Sequence, residues 1–254
     1  MLISITNKCR MNCPHCMDNA IPDGNLFMDK KTFIDALEFN FRYDRSLLIT
    51  GGEPTEHPDF WEYLDIIEYM VPKNGIAVTI TTNGMNLNGP EVIDRIKILT
   101  DKFNSKNDMF GFQVTSVPLI YPIQIDKNNP VFNLDNVLLI TELKHMYPQG
   151  RILSMDNITY NTIGPKCFNF RSIIRSTNNL NSTVKMLRSL FKYCTPRISY
   201  NGDIKLGESS LCPTVASIYD TEDAIVNKAI NFKCDGCKIA KSKLTPKQLF
   251  AIGE

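Results

Sequence analysis

The chain has 254 residues, with 28 basic and 27 acidic side chains and a formal net charge of +1. This balance gives no support to a nucleic-acid partner or to binding at an anionic membrane surface. The sequence contains no apolar run long enough to span a membrane and no secretory signal, so we expect a cytoplasmic protein. In a reducing compartment, eight cysteines in a chain of this length indicate metal binding rather than disulfides.

The first predicted element is a short β-strand over residues 2–6, and a cysteine-rich loop follows it directly. The loop carries Cys9, Cys13 and Cys16 in a C-x3-C-x2-C arrangement. Three thiolates complete a tetrahedral zinc site only if a fourth ligand comes from elsewhere. They can also hold three irons of a [4Fe–4S] cluster and leave the fourth iron open to a substrate or cosubstrate. Both a zinc knuckle and an open cluster are therefore compatible with the spacing.

Strand-like and helix-like segments alternate through the first two thirds of the chain. Further strands are predicted at residues 46–50, 76–82, 110–115 and 151–154, and helices at residues 29–41, 58–71, 91–103 and 134–146. This alternation predicts a parallel sheet closed as a barrel or partial barrel. In such folds reactive groups follow the carboxyl ends of the strands, which is where the motifs of this sequence lie.

The second strand ends in the motif Gly51, Gly52, Glu53 and Pro54. Two glycines let the backbone approach a ligand closely, and a carboxylate beside them can accept hydrogen bonds from an ammonium group. The alternative is a tight turn with an incidental glutamate. Polar residues also follow the third strand, at residues 81–84, and the fourth strand, at Thr115 and Ser116.

The last sixty residues contain a second group of cysteines. An Asn201–Gly202 step between alternating segments predicts a hairpin with a two-residue type I′ turn, which would bring Cys194 and Cys212 together. Cys234 and Cys237 form a C-x2-C pair. The four thiolates predict one site, for which zinc and [4Fe–4S] remain equally acceptable on chemistry alone. Cys167 is left over and is interpreted as a small buried residue, a radical-quenching donor or an alternative cluster ligand, and neither His57 nor His145 is assigned a role.

The cysteine loop followed by the Gly-Gly-Glu-Pro motif resembles the radical S-adenosylmethionine (SAM) enzymes. The resemblance implies that Cys9, Cys13 and Cys16 bind a [4Fe–4S] cluster whose open iron is chelated by SAM. It also implies that Glu53 binds the SAM amino group, that Asn83 in the third-strand motif lies near the SAM carboxylate, and that Thr115 or Ser116 reaches the ribose. Gly150 and Arg151 would correspond to an adenine-packing motif.

The segment from Cys194 through Gly207 to Cys212 is similar to the opening of the SPASM and twitch extensions of that superfamily. This resemblance implies an auxiliary [4Fe–4S] cluster at Cys194, Cys212, Cys234 and Cys237, in place of zinc. The expected fold is α/β, a partial (β/α)6 TIM-like barrel followed by a small α+β extension. The expected domains are a radical SAM core over residues 1–185 and a cluster-binding domain over residues 190–254.

The resemblance implies an enzyme that cleaves SAM reductively and abstracts hydrogen from a substrate. A peptide or protein side chain is expected, with the auxiliary cluster accepting an electron. Since eight residues precede Cys9, a leader peptide would need a separate binding protein. The partners implied are SAM, that substrate and a reductant such as flavodoxin or ferredoxin.

Two other functions remain open on the sequence. One is a small-molecule radical SAM dehydrogenase that acts on an alcohol, sugar or nucleotide. The other is a non-catalytic iron–sulfur or zinc module that carries electrons or binds a partner. Glu53 argues against the second, because an electron carrier does not need a site for an amino-acid ammonium group.

Overall fold

An eight-stranded sheet forms the centre of the computed structural model, which describes residues 1–13, 16, 18, 20–72, 75–116, 123–140, 196–206 and 213–230. The strands are β1 (Leu2–Ser4), β2 (Ser46–Thr50), β3 (Ala77–Thr82), β4 (Met109–Thr115), β5 (Val137–Ile140), β6 (Pro196–Ile198), β7 (Asp203–Leu206) and β8 (Thr214–Ser217). Their spatial order is β5-β4-β3-β2-β1-β6-β7-β8. The pairs from β5 across to β6 are parallel, and β7 and β8 continue the sheet antiparallel. The predicted α/β class with a parallel sheet is confirmed.

Three of the predicted helices are present and end within two residues of their expected bounds. The described helices are α1 (Lys30–Tyr43), α2 (Phe60–Met70), α3 (Pro90–Ser105) and α4 (Glu222–Ile230). Asp29 caps α1 by accepting a hydrogen bond from the backbone N–H of Thr32, and Pro90 lies in the first turn of α3, where its missing N–H costs nothing. None of the described helices has the length and apolar character that crossing a bilayer requires.

The helix predicted over residues 134–146 is wrong in its described part. Val137–Ile140 is instead the edge strand β5, which pairs with β4 from Phe112↔Val137 to Thr115↔Ile140. The run Val-Leu-Leu-Ile is apolar at every position, so its periodicity favours neither helix nor strand. The open edge of β4 decides the outcome, because it offers hydrogen-bond partners to an extended segment. The strand predicted at residues 151–154 lies outside the described residues.

The two faces of the sheet differ in chemistry. On one face Ile3, Ile49, Ile80 and Phe112 are almost fully buried in the hydrophobic core, where they pack with residues of the helices. Since successive side chains of a strand point to opposite faces, the residues between them share the other face. That face is largely polar, with Ser4, Thr50, Thr81, Gln113, Thr115 and Arg197. The polar face and the carboxyl ends of β1–β4 are therefore the places available for a site.

The ammonium group of Met1, the residue before β1, anchors the amino end of this strand. The Met1 ammonium donates to Asn40 Oδ1 at 2.8 Å, to the carboxylate of Asp44 at 2.8 Å and to the Ser46 carbonyl at 2.6 Å. All of these groups are buried. These bonds fix β1 against the turn between α1 and β2, which positions the cysteine loop that follows β1.

The predicted hairpin is present, but its turn type differs from the prediction. Residues of β6 and β7 pair from Pro196↔Leu206 to Ile198↔Ile204, and Ser199 N–H bonds the Asp203 carbonyl at 2.9 Å. A type I′ turn needs a positive φ at both central residues, whereas in this loop only Gly202 has one, at +84°. The loop therefore has three residues, 200–202, and ends in a left-handed glycine.

Candidate cluster and cofactor site

The cysteine loop leaves β1 and folds back on itself. The Cys9 N–H donates to the Ile21 carbonyl at 3.0 Å, and the Asn7 N–H donates to the Leu26 carbonyl at 3.1 Å. Cys9, Cys13 and Cys16 are free thiols, and they pack in one small cluster with Met11, Ala20 and Met85. The structure thus brings together the three cysteines that the spacing selected.

Burial controls the electrostatics of two of these thiols. It raises the pKa of Cys9 to about 12, although the Met11 N–H opposes the shift. It also raises the pKa of Cys16 to about 11, with a further contribution from the charge of Asp18. Both thiols are neutral at pH 7 without metal, and a bound cation would replace their protons.

The donor set fits an iron–sulfur cluster. The Cys16 sulfur accepts a hydrogen bond from the Ala20 N–H at 3.4 Å, and the Cys9 sulfur receives the Met11 N–H. Such N–H donors are typical partners of cluster sulfurs. Within the described residues, no three Cys, His, Asp or Glu side chains are close enough together to bind a single metal ion.

Glu53 connects the ends of β2 and β3. Its side chain is 1% exposed, and its carboxylate accepts four hydrogen bonds. Oε1 accepts from the Thr55 N–H at 3.1 Å, from the Thr55 hydroxyl at 2.6 Å and from the Thr82 hydroxyl at 2.6 Å. Oε2 accepts from the Asn83 N–H at 2.7 Å. Burial raises the pKa of Glu53 and the four donors oppose that rise.

Gly51 and Gly52 lie against the protein's own backbone. A Cβ on Gly52 would come within 2.2 Å of the Lys8 carbonyl oxygen, and a Cβ on Gly51 within 2.6 Å of the Thr6 carbonyl oxygen. The Gly52 N–H donates to the Thr6 carbonyl and the Glu53 N–H donates to the Lys8 carbonyl, both at 2.7 Å. The glycines therefore allow the end of β2 to pack against the start of the cysteine loop. This packing requires glycine at both positions, independently of the close approach to a ligand that the sequence predicted. Pro54, also buried, opens the 3-10 turn Pro54–Glu56.

Asn83 lies between Glu53 and the cysteine loop. Its side chain is 6% exposed, and its Nδ2 is 3.8 Å from the Cys9 sulfur, within hydrogen-bond range for sulfur. Its Oδ1 accepts from the Met85 N–H at 2.9 Å. The motif at the end of β3 thus contacts the first cysteine of the loop directly, and the motif at the end of β2 is linked to that cysteine through Asn83.

Hydroxyl groups without partners lie on and beside the polar face. The hydroxyls of Ser4, Thr81 and Ser116 are buried and, in the described part of the chain, have no hydrogen-bond partner. Thr115 is also buried, at the carboxyl end of β4. Buried hydroxyls without partners are costly unless a ligand or water supplies the missing bond.

Two ion pairs that the sequence did not suggest hold the cysteine loop in place. Arg197 on β6 pairs with Asp18, and both side chains are largely buried. Arg10 pairs with Glu56 at 3.1 Å and reaches Asn86 at 3.3 Å. Arg197 could have been noticed as a basic residue within an apolar strand, but nothing local points to its partner.

Several predicted site residues lie outside the described residues. They are Cys194, Cys212, Cys234 and Cys237 of the second cysteine group, the leftover Cys167, His145, and Gly150 and Arg151 of the expected adenine motif.

Comparison with known proteins finds a family match over the part of the chain that carries the loop and β1–β4. Residues 3–117 match the family model described as Radical SAM superfamily. A curated relative from a Thermoplasmatales archaeon (strain ISO4-H5), the "S-adenosylmethionine-dependent nucleotide dehydratase", is 25% identical over 150 residues, which are 57% of this chain and 48% of the relative. The "Mycofactocin maturase MftC" of Mycobacterium ulcerans (strain Agy99) is 34% identical over 96 residues, 36% of this chain and 24% of the relative. The chain thus spans less than half of these relatives.

Among solved structures, Streptococcus suis SuiB bound to its precursor peptide SuiA superposes with a TM-score of 0.44. The sequence identity is 15%, over 92% of this chain and 67% of SuiB. The cofactors that the matched family implies are SAM and a [4Fe–4S] cluster. The cysteine loop, Glu53 and Asn83 all lie within the segment that matches the Radical SAM superfamily model.

Proposed function

We propose that this protein is a radical SAM oxidoreductase, and the convergence of Cys9, Glu53 and Asn83 is the observation that carries the proposal. When bound, the reduced cluster supplies one electron that cleaves SAM to methionine and a 5′-deoxyadenosyl radical, which abstracts hydrogen from substrate. The chain's own part is to hold the cluster through Cys9, Cys13 and Cys16 and to orient SAM beside it. Loops at the carboxyl ends of parallel strands are the expected place for such a site.

Glu53 is proposed to bind the SAM amino group. Its carboxylate is buried and accepts bonds from neutral donors, and none of the basic side chains in the described residues pairs with it. A buried carboxylate without a cation is costly, and an ammonium group at Oε2 would offset that cost. The hydroxyl of Thr115 or of Ser116 at the end of β4 is proposed to reach the ribose, and at Ser116 this bond would satisfy the buried hydroxyl oxygen.

A second, auxiliary [4Fe–4S] cluster at Cys194, Cys212, Cys234 and Cys237 remains a proposal. The described residues that follow the first two cysteines support it. Pro196 at the start of β6 pairs with Leu206 at the end of β7, and Lys205 pairs with Thr214 at the start of β8. The starts of β6 and β8 therefore lie at the same end of the sheet, on either side of the end of β7. A cluster with four thiolates has no open iron, so electron transfer is its expected task.

The proposed substrate is a peptide or protein side chain, and the similarity to a mycofactocin maturase supports this class. A second candidate is a small molecule, because a nucleotide dehydratase aligns over 150 residues. Adding a mixture of the four ribonucleoside triphosphates to the reconstituted protein distinguishes these two substrate classes. A rise in 5′-deoxyadenosine above the substrate-free rate favours the small molecule, and an unchanged rate favours the peptide.

The proposed function is tested by anaerobic reconstitution with iron and sulfide, followed by SAM and dithionite. We expect 5′-deoxyadenosine from the wild type and none from a Cys9→Ala, Cys13→Ala, Cys16→Ala triple variant. Iron that remains in the triple variant measures the second site alone. A loaded wild type that releases no 5′-deoxyadenosine would support the non-catalytic carrier, and one zinc per chain without iron in the triple variant would exclude the auxiliary cluster.

A further inference from the structure

We propose that Asn83 is a positioning residue that sets the reduction potential of the cluster on the cysteine loop. Its side-chain amide donates to the sulfur of Cys9, one of the three proposed ligands. The inference rests on the proposed function only in that Cys9, Cys13 and Cys16 must hold an iron–sulfur cluster.

The orientation of the Asn83 amide is fixed by its neighbours. The Met85 N–H is a donor and lies 2.9 Å from one end of the amide, so that end must be the oxygen. The other end is then the NH2 group, and it lies 3.8 Å from the Cys9 sulfur. Because Asn83 is buried, water does not compete for this donor.

Asn83 is also bonded to the proposed SAM site. Its backbone N–H donates to Glu53 Oε2 at 2.7 Å. The Thr82 hydroxyl donates to Glu53 Oε1 at 2.6 Å and accepts from the Gly84 N–H at 3.0 Å. The turn from Thr82 to Met85 therefore moves as one unit with the Glu53 carboxylate. A ligand that displaces this carboxylate would change the contact between Asn83 and Cys9.

A donor to a cluster sulfur favours the reduced state, which carries one more negative charge. Hydrogen bonds to the sulfurs are among the factors that set cluster potentials. Because hydrogen bonds to charged groups are stronger than those to neutral groups, we expect this bond to be stronger in the reduced state. The resulting change is about tenfold in the reduction equilibrium, or about 59 mV for a one-electron couple.

The test is an anaerobic redox titration of the reconstituted protein without SAM, followed by electron paramagnetic resonance. The signal of the loop cluster is identified by its change when SAM is added afterwards. Asn83→Ser keeps an acceptor for the Met85 N–H but is too short to reach Cys9. Asn83→Asp keeps the same acceptor, removes the donor and adds a negative charge. Asn88→Asp is the control, because Asn88 is exposed on the same loop and, among the described residues, its side chain bonds only the Met85 carbonyl.

We expect the reduction potential to fall by about 59 mV in Asn83→Ser, which is a tenfold change in the reduction equilibrium. It should fall further in Asn83→Asp and stay unchanged in Asn88→Asp. Equal potentials in Asn83→Ser and the wild type, with equal iron content, would overturn the proposal while leaving the proposed function intact. A wild-type protein that takes up no iron would instead overturn the proposed function itself. The two failures are therefore distinguishable.

Discussion

The Glu53 carboxylate and the Asn83 backbone N–H are joined by a 2.7 Å hydrogen bond, which ties the end of β2 to the end of β3. Asn83 in turn contacts the Cys9 sulfur. One buried carboxylate thus organises both neighbouring strand ends and, through Asn83, the first thiol of the loop. The protein's own groups therefore connect the proposed SAM site to the cysteine loop.

We expect Glu53→Gln to weaken both the fold and SAM binding. A glutamine amide has one oxygen, so its NH2 group must face either the Asn83 N–H or the donors from Thr55 and Thr82. Leaving a buried donor without a partner costs about 1–3 kcal/mol. Urea unfolding of the metal-free protein measures this cost, and anaerobic equilibrium dialysis measures SAM binding.

Glu62→Gln is the control for this change, because Glu62 is about half exposed and, in the described part of the chain, pairs only with Lys30 at the surface. We expect it to alter the free energy of unfolding by less than about 1 kcal/mol. Unchanged SAM affinity in a folded, cluster-loaded Glu53→Gln protein would remove Glu53 from the SAM site.

Gly52→Ala should separate β2 from the cysteine loop. Its Cβ would come within 2.2 Å of the Lys8 carbonyl oxygen, which is backbone and cannot move aside cheaply. We expect a loss of about 3 kcal/mol or more, comparable to severe overpacking, together with reduced iron uptake. Gly75→Ala is the matched control: its Cβ meets nothing within 4 Å and only the φ of +86° is strained. That strain costs about 1–2 kcal/mol, so equal losses in the two variants would contradict the steric explanation.

The sequence was sufficient to predict β1–β4, three helices and the meeting of two motifs at one edge of the sheet. These predictions succeed because cysteine spacing, glycine pairs and alternating periodicity are local signals. The edge strand β5 could not be predicted in this way, since Val137–Ile140 is uniformly apolar and only the exposed edge of β4 makes it extended.

Two further features depend on the three-dimensional arrangement. The need for glycine at Gly52 comes from Lys8, which is distant in sequence, so the motif alone could not separate this role from ligand binding. The pair of Asp18 with Arg197 joins residues separated by most of the chain. Sequence spacing could not predict this pair, because the two residues meet only in the folded chain.

We expect the Asp18–Arg197 pair to behave as a buried ion pair. Removing one partner leaves a buried charge, which costs about 3–5 kcal/mol, whereas removing both costs less. Asp18→Asn and Arg197→Met should each destabilise the protein, and the double variant should lose less than their sum. Urea unfolding of the four proteins gives the coupling free energy.

The exposed pair of Asp65 with Arg95 is the control for this cycle, and its coupling should stay below about 1 kcal/mol. Additive effects of Asp18→Asn and Arg197→Met would show that the two side chains do not interact in solution. Iron uptake by the single variants also shows whether this pair supports the cysteine loop.

His57, to which the sequence assigned no role, should make stability depend on pH. Its side chain is buried, its Nδ1 accepts from the Asp59 N–H at 3.1 Å, and its Nε2 therefore carries the proton that is donated to the Met28 carbonyl at 3.0 Å. Burial lowers the pKa of His57 below its ordinary value of 6.5. Between that value and the lower folded-state pKa, the unfolded chain binds more protons than the folded chain. The contribution of neutral His57 is therefore complete above pH 6.5 and is lost as the pH falls through this window.

The measurement is urea unfolding of the wild type and of His57→Gln between pH 5 and pH 8. We expect the free energy of unfolding of the wild type to fall below about pH 6.5, the ordinary histidine pKa. The difference between the two proteins should shrink over the same range, because glutamine does not titrate. Other titrating groups contribute equally to both proteins, so the difference isolates His57. A constant difference across the range would show that His57 keeps an ordinary pKa in the folded protein.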